Sequence, residues 1–118
     1  MLILVLAYFI LKVWTGDSVK DNIAYAQGKY HGKADEALIA MLFEEKIPTN
    51  DKTHIAVWTL GQLQVDEALP LLKELYLDDP DGETCYGKHD QVICQYEIYK
   101  ATEAVEGNML FSFAYLNQ

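Results

Sequence analysis

Arginine is absent from this chain of 118 residues, whose basic residues are all lysine and are outnumbered by the 18 acidic ones, giving a net charge of −9. Phosphate and base recognition rest on arginine forks, and an acidic surface repels a polyanion, so the composition argues against nucleic-acid binding. Serine is nearly as scarce: Ser18 and Ser112 are the only two. One lies at an expected helix start and the other in an apolar tail, which leaves a Ser-His-Asp triad without a candidate. His31, His54 and His89 fall on different segments and read as surface or satisfied interior side chains. There is no glycine-rich phosphate loop and no dinucleotide fingerprint. The expectation is a protein that is not an enzyme and carries no cofactor.

Cysteine occurs only as Cys85 and Cys94. Three readings stand. A Cys85–Cys94 disulfide would staple an enlarged loop to a helical stack, contribute about 3 kcal/mol and require an oxidising compartment. The second reading is one buried and one exposed free thiol. The third, a metal held by Cys85, His89 and Cys94, offers three ligands where zinc usually takes four. The acidic run Asp78-Asp79-Pro80-Asp81-Gly82-Glu83 fails as a calcium loop. With Gly82 at the turn position the terminal ligands would be Leu77 and Lys88, so it reads as a solvated helix stop.

What the chain has in quantity is apolar residues, 51% of the total, enough for a real core in a single domain. They concentrate first in the run Met1–Leu11, followed by Lys12, Val13 and Trp14. As a helix these residues reach about 21 Å, short of the roughly 30 Å hydrocarbon core of a bilayer. A cleaved signal fits the length but lacks a basic start and a small-x-small cleavage site. A buried core helix would need a polar stripe that is missing. A membrane helix, short and tilted among partner helices or assigned from a late start, is the expectation. Tyr8 and Trp14 serve it as interface aromatics, and Lys12 can snorkel towards headgroups. Thr15-Gly16-Asp17-Ser18 is expected to break this helix, with Asp17 or Ser18 capping the next.

Sidedness is pulled two ways. Lys12, Lys20, Lys29 and Lys33 follow the apolar run, which by the positive-inside rule keeps the domain cytoplasmic. A disulfide instead favours the periplasm or exterior, and the expected location is a single-pass membrane protein with a periplasmic domain.

The tetrapeptide Asp-Glu-Ala-Leu occurs at Asp35–Leu38 and again at Asp66–Leu69, a spacing of 31 residues. Self-similarity at such a spacing is the mark of a stacked helical repeat. The rest of the chain supports helix–turn–helix units. Val19, Ile23, Ala26 and Tyr30 recur at helical spacing, as do Ala37, Leu38, Met41 and Leu42. Lys46-Ile47-Pro48 is a break, after which Thr49 or Asn50 is placed to cap a helix carrying Ile55 to Leu63. Asp35 and Asp66 are expected caps, and Pro70 falls in a first turn, where its missing N–H costs least. The last long helix is expected from near Asp90 to Glu106, with Val92, Ile93, Tyr96, Ile98, Tyr99, Ala101 and Val105 inward, and Gly107-Asn108 as its stop. Ile93-Cys94 with Tyr96 and Ile98 echoes Ile55-Ala56 with Trp58 and Leu60, and Ile23-Ala24 is a fainter third copy.

The segments Ala56-Val57-Trp58-Thr59-Leu60-Gly61-Gln62-Leu63 and Asp66-Glu67-Ala68-Leu69-Pro70-Leu71-Leu72-Lys73-Glu74-Leu75 resemble the short HEAT repeat of the phycobilisome-lyase type. The resemblance covers about residues 35–106; His54 stands where that repeat often carries arginine. A tetratricopeptide reading, on Ala26, Gly28, Lys29 and Tyr30 with Ala37-Leu38, is the rival, and Leu60-Gly61 and the 31-residue spacing fit it less well. The resemblance implies an α-solenoid that serves as a scaffold or docking surface.

The expected fold is therefore all-α: a single transmembrane helix at 1–14, a linker and leading helix at 15–34, a HEAT-like solenoid of about two helix pairs at 35–108, and an apolar tail at 109–118 packing as a lid. The expected function is a membrane-anchored accessory or scaffold subunit binding protein partners of a larger membrane complex. The alternative is an exported or soluble adaptor for a protein or peptide. Tyr8, Trp14, Tyr76, Tyr86 and Tyr99 are the candidate contact residues, because interface anchors are enriched in tyrosine and tryptophan.

Overall fold

The computed structural model describes residues 1–76, 93–108 and 113–117, and among these the chain is all-helical with no strand. Helix α1 runs unbroken through Leu2–Lys29. The expected break at Thr15–Ser18 is absent, and neither Asp17 nor Ser18 is a cap. A single glycine among good neighbours costs a helix only about 1 kcal/mol, less than the packing gained from the second half of α1. That second half buries Gly16, Val19, Ile23 and Ala26 on one stripe, as their spacing predicts. The first half buries nothing.

Helix α2 spans Ala34–Phe43 and buries Ala34, Ala37, Leu38, Met41 and Leu42, a full apolar stripe laid on α1. Its N-cap is Lys33, with no side-chain capping bond of its own. Asp35 lies inside the first turn, so the cap expected there is displaced by two positions. The chain breaks as expected before Pro48, and Ile47 tucks into the core.

Helix α3 (residues 49–62) is built from Thr49–Asp51, a π-helical stretch Lys52–Val57 and Trp58–Gln62. Pro48, not Thr49 or Asn50, precedes its first turn as N-cap. The wider π turns carry Thr53, Ala56 and Val57 to the buried side, in line with Leu60 and Gly61 beyond them. The helix ends in a Schellman motif. Val65 N–H donates to the Leu60 carbonyl at 3.3 Å and Gln64 N–H to that of Gly61 at 3.0 Å, with Gln64 in the left-handed region at φ 51°.

A 3₁₀ turn at Asp66–Ala68, with Val65 rather than Asp66 as its cap, leads into helix α4 at Leu69–Leu75, with Pro70 in the first turn as expected. Helix α5 spans Gln95–Val105 with Cys94 as its N-cap. Ile93 and Cys94 therefore precede the last helix instead of lying on it; Asp90 and Val92 fall outside the described residues. Ile98, Ala101 and Val105 point inward as expected. Tyr96 and Tyr99 do not: they are 44% and 43% exposed, and the inward places belong to Gln95 and Ala104. Gln95 joins two elements by donating from Nε2 to the Leu75 carbonyl at 3.2 Å and to that of Ile93 at 3.3 Å. Gly107 closes α5 with a second Schellman motif at φ +104°.

The helices form two rows. The second half of α1 lies beside α3 and α3 beside α5, while α2 covers α1 and α3 and α4 covers α5. The closest approach is at Gly61, where a β-carbon would come within 2.9 Å of the Ala101 Cα. Only glycine lets the two backbones meet there. Asn22 Nδ2 donates to the buried Thr59 hydroxyl at 2.9 Å, a polar link from α1 to α3.

The described part of the tail packs down, as expected of a lid. Phe113 is fully buried, its N–H donating to the Gln62 carbonyl at 3.3 Å and its ring lying on Gly16 of α1. A 3₁₀ turn at Ala114–Leu116 follows, and the Asn117 Oδ1 accepts the Asp35 N–H at 3.0 Å. The tail thus caps the Asp35 N–H, beside the Glu36 N–H that the Asp35 carboxylate accepts at 2.8 Å.

Candidate membrane-facing site

The feature that most needs a partner is the first half of α1. Val5, Leu6, Phe9, Ile10, Leu11 and Val13 are each about half exposed or more, and Trp14 is 67% exposed. A soluble monomer rarely leaves so continuous an apolar cylinder in water. Helix α1 is long and apolar enough to cross a membrane, with a mean hydropathy of 1.7 over its best 18-residue window and 11% of that window buried. Leu6, Phe9, Ile10, Val13 and Trp14 line an open apolar groove of about 250 Å³ along one side. Tyr8 meets Phe9 edge-on at 5.6 Å between ring centres, so two candidate anchors, Tyr8 and Trp14, both lie on this exposed half.

The other candidate contact residues sit elsewhere. Tyr76, after α4, and Tyr99, on α5, pair at 6.4 Å between ring centres, an aromatic patch at the far end of the stack. Tyr86 lies outside the described residues. The four candidates among the described residues fall into two groups, Tyr8 with Trp14 on α1 and Tyr76 with Tyr99 beside α4 and α5. Trp58 is partly buried against the core, lining with Gly61, Gln62, Glu97, Lys100, Ala101 and Ala104 a surface depression of about 130 Å³. Lys100 pairs with Glu97 at 2.8 Å and lies over the Tyr96 ring, which fixes that rim.

Cys94 is buried, and its N–H donates to the Thr53 hydroxyl at 3.3 Å, docking the start of α5 on the π stretch of α3. Thr53 in turn donates to the Thr49 carbonyl at 3.0 Å. No cysteine among the described residues is a free thiol. Cys85, His89 and the acidic run Asp78–Glu83 lie outside the described residues. Among the described ones no group of three His, Cys, Asp or Glu side chains could hold a metal ion. His31 and His54 are both exposed and on separate elements.

Sequence reasoning missed the foot of the exposed half-helix. Lys12, Val13, Gly16, Asp17 and Lys20 face Phe113 and Tyr115 across a depression of about 190 Å³. The 12, 16, 20 spacing puts these positions on one helix face, but their aromatic wall comes from the far end of the chain, which no local pattern announces.

No family model matches the chain, and neither a curated protein nor a solved structure matches it.

Proposed function

We propose that this chain is a non-catalytic accessory subunit, anchored in a membrane by the first half of α1, whose helical domain braces a larger protein complex on one aqueous side. The observation that carries the reading is the division of one continuous helix. Residues before Thr15 expose apolar side chains all round, while Gly16, Val19, Ile23 and Ala26 of the same helix are locked in the core. A rigid junction of this kind transmits the position of the domain to the membrane segment.

Two further parts of the proposal concern the domain. Its alternating rows suit HEAT-like stacking, in which each helix pair is covered by its neighbours and the ends need a cap. A Cys85–Cys94 disulfide would provide one such cap at the α5 end; the burial of Cys94 and the lack of a free thiol there support it. A disulfide would put the domain on the oxidising side of the membrane.

Deletion of residues 1–14 tests the anchor. The truncated chain should leave the membrane fraction and remain helical in solution. Continued sedimentation with membranes after a carbonate wash would refute the anchor. Native mass spectrometry of mild-detergent extracts should find the full chain travelling with a defined complex.

A further inference from the structure

The depression at the foot of the exposed half-helix has the composition of an anion site. Lys12, Lys20 and Tyr115 line it together with Gly16 and the Phe113 ring that lies on Gly16. Asp17 also lines it, leaving an excess of one positive charge. Among the described residues neither lysine has a carboxylate within ion-pair distance, although the domain as a whole is strongly acidic. Two lysines that pair with no carboxylate among the described residues, beside a hollow of about 190 Å³, suit a negative ligand.

Position decides which one. The apolar run ends at Trp14, so the hollow begins where the hydrocarbon would end. From Lys12 to Lys20 the helix rises about 12 Å, which covers the headgroup layer beneath it. Trp14 and Tyr115 are 67% and 64% exposed, and Tyr115 lines the hollow with Lys12, Val13 and Gly16, where interface aromatics are found. A phosphate here would be reached from the lipid side by its own acyl chains, which the groove of Leu6, Phe9, Ile10, Val13 and Trp14 directly above is shaped to receive.

We infer that Lys12, Gly16, Lys20, Phe113 and Tyr115 bind the phosphate of one anionic phospholipid, with an acyl chain along the groove above. The inference rests on the membrane-anchor reading. It gives the tail a role beyond packing, because Phe113 holds Tyr115 over the site.

The test uses the full chain in nanodiscs of phosphatidylcholine alone or phosphatidylcholine with phosphatidylglycerol, with retained lipids counted by native mass spectrometry after mild release. Wild type should keep one phosphatidylglycerol in preference to phosphatidylcholine. Lys12→Gln/Lys20→Gln should weaken that retention about 30-fold, the weight of two lysines at an anionic surface. Lys29→Gln/Lys33→Gln, which removes the same charge away from the site, should leave it unchanged, with circular dichroism confirming that both variants fold. Equal retention of the two lipids, or equal loss in both variants, overturns the site while leaving the anchor standing. Saturable binding of inorganic phosphate that needs Lys12 and Lys20 and that phosphatidylglycerol does not displace overturns the lipid assignment in favour of a free anion. Failure to enter either nanodisc overturns the anchor and the site together.

Discussion

At the scale of single residues, the fold depends on a few positions where backbone meets backbone or end meets end. Gly61 is the sharpest. An alanine there would gain about 1 kcal/mol of helix propensity, but its β-carbon would sit 2.9 Å from the Ala101 Cα, which is backbone and cannot swing aside. Overpacking of this kind costs about 1–3 kcal/mol and outweighs the propensity term. Gly61→Ala should therefore shift the urea midpoint downward, by a net loss on the order of 1–2 kcal/mol. An unchanged or raised midpoint would show that α3 and α5 are free to separate. Asn117 acts at longer range. It caps the first turn of α2 from 82 positions away in sequence, so Asn117→Ala should cost about 1 kcal/mol, the usual weight of a lost N-cap. Amide exchange at Asp35 should accelerate in that variant while exchange in α5 stays as it was. A uniform acceleration across all helices would argue instead for a general loss of packing.

At the scale of elements, the apolar stripes were legible and the ends were not. Val19, Ile23 and Ala26 in α1, and Ala37, Leu38, Met41 and Leu42 in α2, are buried as their spacing implies. A stripe is a local property of sequence, repeated every turn. Ends answer to distant partners. Asp35 looks like a cap but sits within the first turn, where its carboxylate accepts the Glu36 N–H and Asn117, from the far end of the chain, accepts its own N–H. Thr15–Ser18 looks like a break but continues the helix, because Phe113 needs Gly16 as a flat seat. The π turns of α3 are equally invisible locally, since they follow from the need to line up Thr53 and Val57 with Leu60. The tail is the element that ties these ends together, and Phe113 is its anchor. Phe113→Ala should cost about 3 kcal/mol by the loss of a fully buried ring. It should also free Tyr115 and Asn117 together, so that the Asp35 amide loses protection in this variant as well. Cooperative loss at both places marks the tail as one strap; loss at Gly16 alone would reduce it to an independent plug.

At the scale of the molecule, the question is how so short a stack holds together. In the repeat architecture we propose, helix pairs bury their faces only against neighbours, and about three units are usually needed for independence. Here α1 covers one end of the row and continues into the exposed apolar half, while α5 and the Cys94 region close the other. The two ends are thus secured by different means, one by α1 and the tail, the other by the proposed cross-link. Reduction should act on the α5 end alone. If Cys85 and Cys94 are joined, the intact chain purified without reductant is two hydrogens lighter than the reduced one. Reduction then lowers unfolding stability by about 3 kcal/mol, the loop-closure value for so short a separation. The loss should appear as faster exchange in α4 and α5, with the Asp35 amide and the α1–α2 contact unaffected. Cys85→Ser and Cys94→Ala should each reproduce the effect of reductant, and the double variant should add nothing further, because one bond is lost only once. An unchanged mass and a stability indifferent to reductant would return Cys94 to the role of a small buried side chain. The domain would then carry no mark of an oxidising compartment, and the lysines after the apolar run would favour the cytoplasmic side.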